Sequence, residues 1–297
     1  MTIKEIIVNI FIRYMDFSSQ NCEDIKEIQL ENGKYLIQER FDSKKNQAFL
    51  VKLDTLENNR QNRQFVIKIY NEENKSKSKT EITTIIQLSD LGISVPRVKE
   101  YSNYYLLMEY IPGKTLLQII DEVIKSNSPM VKKDQDLNSI IEQLSNWFFK
   151  LHYYTFESSV KGSSLLKGDC TMKNFIVDER SQMIYGVDFE ESRRDEPVID
   201  IGSVCAAILT IKPMFSKLDF DLCRQFVQSY RECLLKMMTI KKDSKNNLLK
   251  LDNDSVIQAT LQALRYRAKW MSKAHLENIS TWCEQIQQTG ILNLDKP

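Results

Sequence analysis

Several absences narrow the chemistry before any motif is read. The chain has 2 histidines and 6 cysteines in 297 residues, and no two cysteines form a C-x-x-C pair, so zinc-type ligand spacing is missing. Glycine is scarce, at 8 residues. Neither G-x-x-x-x-G-K nor G-x-G-x-x-G occurs, which argues against P-loop and dinucleotide folds. No charge of one sign dominates: 41 Lys and Arg against 40 Asp and Glu leave a net charge of +1. The chain as a whole is therefore not built to cling to nucleic acid or to an anionic membrane, and any electrostatic preference must be local. No hydrophobic run approaches the ~20 residues of a membrane span. The opening MTIKEIIVNIFIRYM is broken by Lys4, Glu5, Asn9 and Arg13. It lacks the apolar core and cleavage site of a signal peptide and reads as a short amphipathic helix resting on the first domain. The scattered cysteines, Cys22, Cys170, Cys205, Cys223, Cys233 and Cys283, read as reduced thiols in a cytoplasmic protein.

What is present is a globular composition, 42% hydrophobic and 27% charged, on a chain long enough for one large or two small domains. Three β-rich runs come first, over residues 25–41, 48–53 and 64–70. The segment NEENKSKSK reads as a solvated loop. After it, Ile82, Ile85, Ile86 and Leu88 give helical spacing over 80–91. LGISVPRV leads into a strand, and YYLLMEYIPG gives another that stops at Pro112 and Gly113. Beyond Gly113 the pattern turns helical: 116–125, a polar loop over 126–136, then 137–155. Several helices fill the chain from Asp200 onward. The expected class is α+β in two lobes, residues 1–111 and 112–297. The first is a small antiparallel sheet with one key helix, and the second is larger and mainly helical. A cleft between such lobes is where a ligand is expected.

The chemistry concentrates in LLKGDCTMKNFIVDERSQMIYGVDFEES, residues 165–192. Runs 175–178 and 183–189 joined by a polar turn read as an antiparallel hairpin. In it the start of the first strand faces the end of the second, so Asn174 and Asp188 meet, with Asp169 on the loop before them. Oxygen-bearing side chains that converge in this way suit a hard cation such as magnesium, and a further carboxylate nearby can orient a hydroxyl.

These motifs carry a family resemblance. Gly168, Asp169 and Asn174 in GDCTMKN, Asp188, Phe189 and Glu190 in VDFE, the run LGISVPRVKEYSNYYLLMEYIPGKTL and WFFKLH together resemble the aminoglycoside phosphotransferase and choline kinase branch of the protein-kinase-like fold, over residues 25–210. The resemblance implies a catalytic base at Asp169 and magnesium ligands at Asn174 and Asp188. Glu190 is either a second-metal or water-mediated ligand or an exposed carboxylate. Lys68, in FVIKIY, would contact the nucleotide phosphates and pair with Glu81 of the following helix. The backbones of Glu109 and Ile111 would hold the adenine. Asp200 would brace the catalytic loop from a helix N-cap, and His152 reads as a core residue. The implied cofactors are ATP, with GTP as the alternative, and Mg2+.

Two positions depart from the family pattern. The glycine-rich phosphate loop is replaced by RFDSKKNQAF, where Ser43 and Asn46, beside Lys44, would serve the phosphates. The residue before Gly168, usually histidine, is Lys167. About ten residues separate Phe189 from Asp200, and no A-P-E follows, which favours a small-molecule hydroxyl acceptor over a peptide. Basic residues outnumber acidic ones beyond Lys212, so a neutral or anionic acceptor suits the chain better than a polycationic antibiotic. Arg265, Arg267 and Lys269 either contact that acceptor or form the solvated face of a helix. Two other readings remain open: an atypical RIO-like protein kinase, since Thr171 resembles the residue at that place in such enzymes, and a nucleotide-binding pseudokinase that acts as an interaction module.

Overall fold

The structure is a computed structural model that describes residues 26–41, 46–54, 63–126, 130–157, 162–240, 251–269, 280–284 and 286, without the side chains of 130–136 and 238–240. Two compact units emerge: one runs up to Ser89 and takes in Pro96–Ile111, and the other takes in Asp90–Val95 and everything from Pro112.

The first unit is built on a six-stranded sheet whose neighbours are all antiparallel. Its strands are β1 (Glu27–Leu30), β2 (Gly33–Phe41), β3 (Gln47–Leu53), β4 (Gln64–Ile69), β5 (Val98–Tyr101) and β6 (Tyr105–Glu109), in the order β1-β2-β3-β4-β6-β5. Alternate residues of a strand face one side, so Phe49 with Val51, Ile67 with Ile69 and Tyr105 with Leu107 form a single buried layer with Tyr35. Each such side chain contributes roughly 1.5–3 kcal/mol on burial. The run expected over 25–41 is two strands, because Asn32-Gly33 supplies a tight turn that folds β2 back on β1. Helix α1 (Lys75–Asp90) follows β4 and buries Ser78, Glu81, Ile82, Ile85 and Leu88, a stripe at helical spacing. It begins five residues before the expected start. Lys75 pairs with Glu72 and lies over the Tyr104 ring, 4.2 Å from its centroid, which accommodates a charged first turn.

The second unit opens with β7 (Gly113–Thr115) and α2 (Leu116–Lys125), whose N-terminus carries a capping box between Thr115 and Gln118. Helix α3 (Met130–Tyr154) starts inside the segment expected to be loop. Short strands β8 (Ser164–Leu166), β9 (Phe175–Asp178), β10 (Ile184–Gly186) and β11 (Arg193–Asp195) come next, then α4 (Val198–Leu209), α5 (Lys217–Ile240) and α6 (Asn253–Ala268). Strands β10-β9-β7 form one small sheet and β11-β8 another. Helix α3 packs on α5, and α4 on α6. An aromatic nest of Trp147, Phe148, Phe175 and Phe226 fixes the root of the β9-β10 hairpin, with Phe148 and Phe175 centroids 5.5 Å apart and Phe148 and Phe226 5.9 Å apart. Gly186 admits Trp147 to the hairpin, since a Cβ there would lie 2.4 Å from the indole ring.

The antiparallel sheet of the first unit and the helical second unit are the expected α+β class. Among the described residues no helix is long and apolar enough to cross a membrane, and Cys170, Cys205, Cys223, Cys233 and Cys283 are free thiols. The helix expected at the N-terminus, and Cys22, lie outside the described residues.

Candidate functional site

In the first unit, β4 and α1 bring three side chains together. Lys68 and Tyr70 stand two residues apart and so point to the same side of the chain. The Lys68 ammonium donates to Glu81 Oε2 at 2.8 Å, and the Tyr70 hydroxyl donates to the same oxygen at 2.7 Å. The Glu81 side chain is wholly buried, and that of Lys68 is 11% exposed. The pairing of Lys68 with Glu81 expected from the sequence is therefore made, and Tyr70 is a third member that was not foreseen. Its spacing from Lys68 was the signal. A carboxylate held by two donors fixes the ammonium as a positioned point charge.

Asn46 is buried and its Oδ1 accepts from Asn74 Nδ2 at 3.1 Å, which ties the chain before β3 to the approach of α1. Ser43 and Lys44 lie outside the described residues. At the end of β6, the Glu109 N–H is already given to the Arg97 carbonyl at 2.9 Å. Glu109 can therefore offer a base only its carbonyl oxygen. Among the described residues the Ile111 N–H makes no hydrogen bond, so it is the better donor of the two.

The second unit holds the loop and hairpin. Strands β9 and β10 pair Val177 with Ile184 and Phe175 with Gly186. The second strand is shorter than the expected 183–189. Beyond it the Val187 N–H reaches the Asn174 carbonyl at 3.0 Å, and this bond brings Asn174 beside the segment of Asp188. Asp188 then takes φ +62°, a left-handed conformation that costs a non-glycine residue on the order of 1 kcal/mol or more. Asn174 Nδ2 donates to the Asp169 carbonyl at 3.3 Å, which leaves Oδ1 as the atom able to meet a cation. Asp169 is half-buried, and its Oδ1 accepts from the Thr171 N–H at 3.1 Å. Glu190 is buried, so the alternative of an exposed carboxylate falls away. A set of one carboxylate and one amide oxygen fits magnesium, a hard ion that takes few protein oxygens.

Lys167 explains how the loop and the hairpin are joined where histidine was expected. Its side chain is fully buried, and its ammonium donates to the Asp169 carbonyl at 3.2 Å and to the Asp188 carbonyl at 2.5 Å. It also lies over Phe189, 4.6 Å from the ring centroid. One side chain thus links the loop of Asp169 to the segment of Asp188. The next residue, Gly168, has φ +82°, and a Cβ there would come within 2.3 Å of the Glu191 carbonyl, so no larger residue fits.

Asp200 braces the same loop from beneath. Its carboxylate accepts from the N–H groups of Lys167 at 2.6 Å and Gly168 at 3.2 Å, from the Cys170 thiol at 3.4 Å and from His152 Nε2 at 3.2 Å. Burial alone would raise the Asp200 pKa. The hydrogen bonds from His152 and the two amides overcome it and hold the carboxyl below its ordinary value. His152 is buried, with its Nδ1 2.9 Å from the Tyr230 hydroxyl. Asp200 is not the helix N-cap anticipated from the sequence: α4 starts at Val198 after Pro197, and the carboxylate serves the loop amides instead. Burial, followed by the nearby Asp200 charge, pushes the Cys170 thiol well up, so it stays protonated and donates. Of the basic residues on and just after α6, Arg265 and Lys269 are exposed and Arg267 is half-buried; Trp270 lies outside the described residues.

No protein-family model matches the chain. Over 131 residues it is 22% identical to a protein described as EKC/KEOPS complex subunit BUD32 from Enterocytozoon bieneusi (strain H348), a stretch that is 43% of this chain and 60% of that protein. The chain thus spans three fifths of the length of that curated relative. Among solved structures, it is similar to an aminoglycoside-3'-phosphotransferase of type VIII, with a TM-score of 0.46 and 13% identity over 66% of this chain and 86% of the other.

Proposed function

We propose that the chain has the protein-kinase-like fold and is a phosphotransferase moving the γ-phosphate of ATP to a hydroxyl of a small molecule. The observation that carries this reading is the arrangement around Lys167. It ties the backbone of Asp169, on the loop, to that of Asp188, at the foot of the hairpin where Asn174 also lies. Magnesium, when bound by Asn174 and Asp188, supplies charge neutralisation on the transferring phosphoryl group. Asp169, oriented by the Thr171 amide, accepts the proton of the acceptor hydroxyl. The hydroxyl oxygen forms the new bond to the γ-phosphorus, the bond to the β,γ-bridging oxygen breaks, and ADP leaves. Lys68, held by Glu81 and Tyr70, contacts the nucleotide phosphates. The Glu109 carbonyl and the Ile111 N–H hold the base, with GTP as the alternative nucleotide.

The acceptor class is supported by the segment after Phe189. It is taken up by β11, which pairs with β8, and α4 follows at Val198, leaving little chain for docking a peptide. The second reading is an atypical RIO-like protein kinase, for which the motif position of Thr171 is the supporting feature. The third is a pseudokinase that binds nucleotide without turnover. We assign the protein to the cytoplasm, with a small hydroxylated partner.

Substitution of Asp169→Asn tests the chemistry. Phosphoryl transfer should fall by a factor of 1,000 or more while magnesium-dependent nucleotide binding stays within about threefold. Transfer that survives in the variant would remove Asp169 from the role of base.

A further inference from the structure

The three basic residues at the end of α6 differ in what surrounds them. Arg265 and Lys269 are exposed, and the Lys269 ammonium lies over the Tyr266 ring, 5.5 Å from its centroid. Arg267 is turned inward: it is half-buried beside the buried Leu264 and Ala268. Its guanidinium makes no hydrogen bond or ion pair among the described residues. A guanidinium has five donors and keeps its charge, so one withdrawn from water without a partner is costly unless a ligand completes it.

The fold sets that guanidinium toward the catalytic loop. Helix α4 presents Asp200 to the amides of Lys167 and Gly168. Two residues later, at Gly202, it meets α6 so closely that a Cβ would lie 2.4 Å from the Ala259 carbonyl carbon. The catalytic loop and α6 therefore share α4 as their support, and Arg267 lies about two turns beyond that contact. The charge of the loop that acts on Arg267 is that of the Asp169 carboxylate. Burial lowers its pKa, and that carboxylate does not offset the cost. Arg267 does not pair with Asp169, so it is not simply that carboxylate's counter-ion.

We propose that Arg267 is the anion-binding residue of the acceptor site, and that the acceptor is an alcohol carrying a phosphate or carboxylate group. This rests on the phosphotransferase reading above. Asp169 takes the hydroxyl, and the guanidinium fork takes the anionic end of the same molecule, an arrangement that rejects neutral alcohols. Polycationic acceptors are repelled by the same group.

The test uses matched acceptors with the full chain and Mg-ATP: glycerol, glycerate and glycerol phosphate, assayed by ADP formation and by phosphorylated product. The parent should favour the anionic members at least tenfold in kcat/KM. Arg267→Met should raise their KM by about 10- to 100-fold with little change in kcat. Arg267→Lys should fall between, and Arg265→Met, on the exposed face, should match the parent. If the methionine variant does not fold, the parent's preference and its weakening in Arg267→Lys decide the matter. Equal use of neutral and anionic acceptors overturns the proposal, as does hydrolysis without transfer to any anionic member. An Arg267→Met loss that falls on kcat alike for every acceptor and for water also overturns it, because Arg267 would then serve the transferring phosphate. A parent that neither binds nor turns over magnesium nucleotide fails earlier, at the phosphotransferase reading itself.

Discussion

At the scale of single residues, Lys167 has the largest consequences. Exchanging a buried ammonium that donates to two carbonyls for an apolar side chain removes both hydrogen bonds, each worth about 1 kcal/mol. Lys167→Met is therefore expected to lower the free energy of unfolding by about 2 kcal/mol in urea titration. It should also reduce kcat tenfold or more, since Asp169 and Asp188 lose their common tether. Lys167→His, which restores a donor, should recover part of the activity. A methionine variant with unchanged stability and turnover would show that the tether is dispensable. The sequence marked Lys167 only as a departure, because what a side chain bonds across 21 residues of chain is not written in its neighbours.

At the scale of elements, two helices carry testable electrostatics. The Glu81 of α1 accepts from both Lys68 and Tyr70 inside a buried layer. Removing one member of a buried ion pair strands the other charge, so Glu81→Ala should cost about 3–5 kcal/mol. Tyr70→Phe, which deletes one hydrogen bond, should cost about 1 kcal/mol. Equal effects of the two substitutions in chemical denaturation would contradict this ordering.

At the start of α5, Asp219 Oδ2 accepts from the Ser216 N–H at 2.7 Å, and Ser216 Oγ accepts from the Asp219 N–H at 3.2 Å. Burial outweighs these bonds and pushes the Asp219 carboxyl up to about 6, from an ordinary value of 3.8. The folded state thus holds its proton more tightly than the unfolded chain does. The stability this contributes is full below pH ~4 and is lost as pH rises through about 6. Asp219→Asn keeps the acceptor and removes the charge. It should raise Tm relative to the parent at pH 8, by an amount corresponding to roughly 2 kcal/mol, and leave it unchanged at pH 4. A parent and variant that melt in parallel across that range would refute the assignment.

Element type was legible where periodicity was strong. The Ile and Leu stripe of α1 and the apolar alternation of β4 both appear as expected. Boundaries were less legible. The polar starts of α1 and α3 look like loop, and the charged turn of α1 is accommodated by contacts with Glu72 and Tyr104 that periodicity does not encode. In the candidate site, the facing of Asn174 and the Asp188 segment followed from the antiparallel hairpin rule. The role of Tyr70 and the inward turn of Arg267 depended on packing.

At the scale of the whole molecule, the central proposal is that the chain binds a magnesium nucleotide, with Asn174 and Asp188 of the helical unit as the metal ligands. A balanced net charge and a fold with two separate cores allow many functions, and the proposal of phosphoryl transfer rests on the residues named here. The most direct measurement is the thermal shift of the full chain with ATP, with and without magnesium, alongside Asp188→Ala. The account predicts a stabilisation by ATP that requires magnesium and is lost in the variant, while the variant without ligand melts close to the parent. A well-folded parent that ATP does not stabilise, or a magnesium-dependent shift that survives in Asp188→Ala, would contradict it.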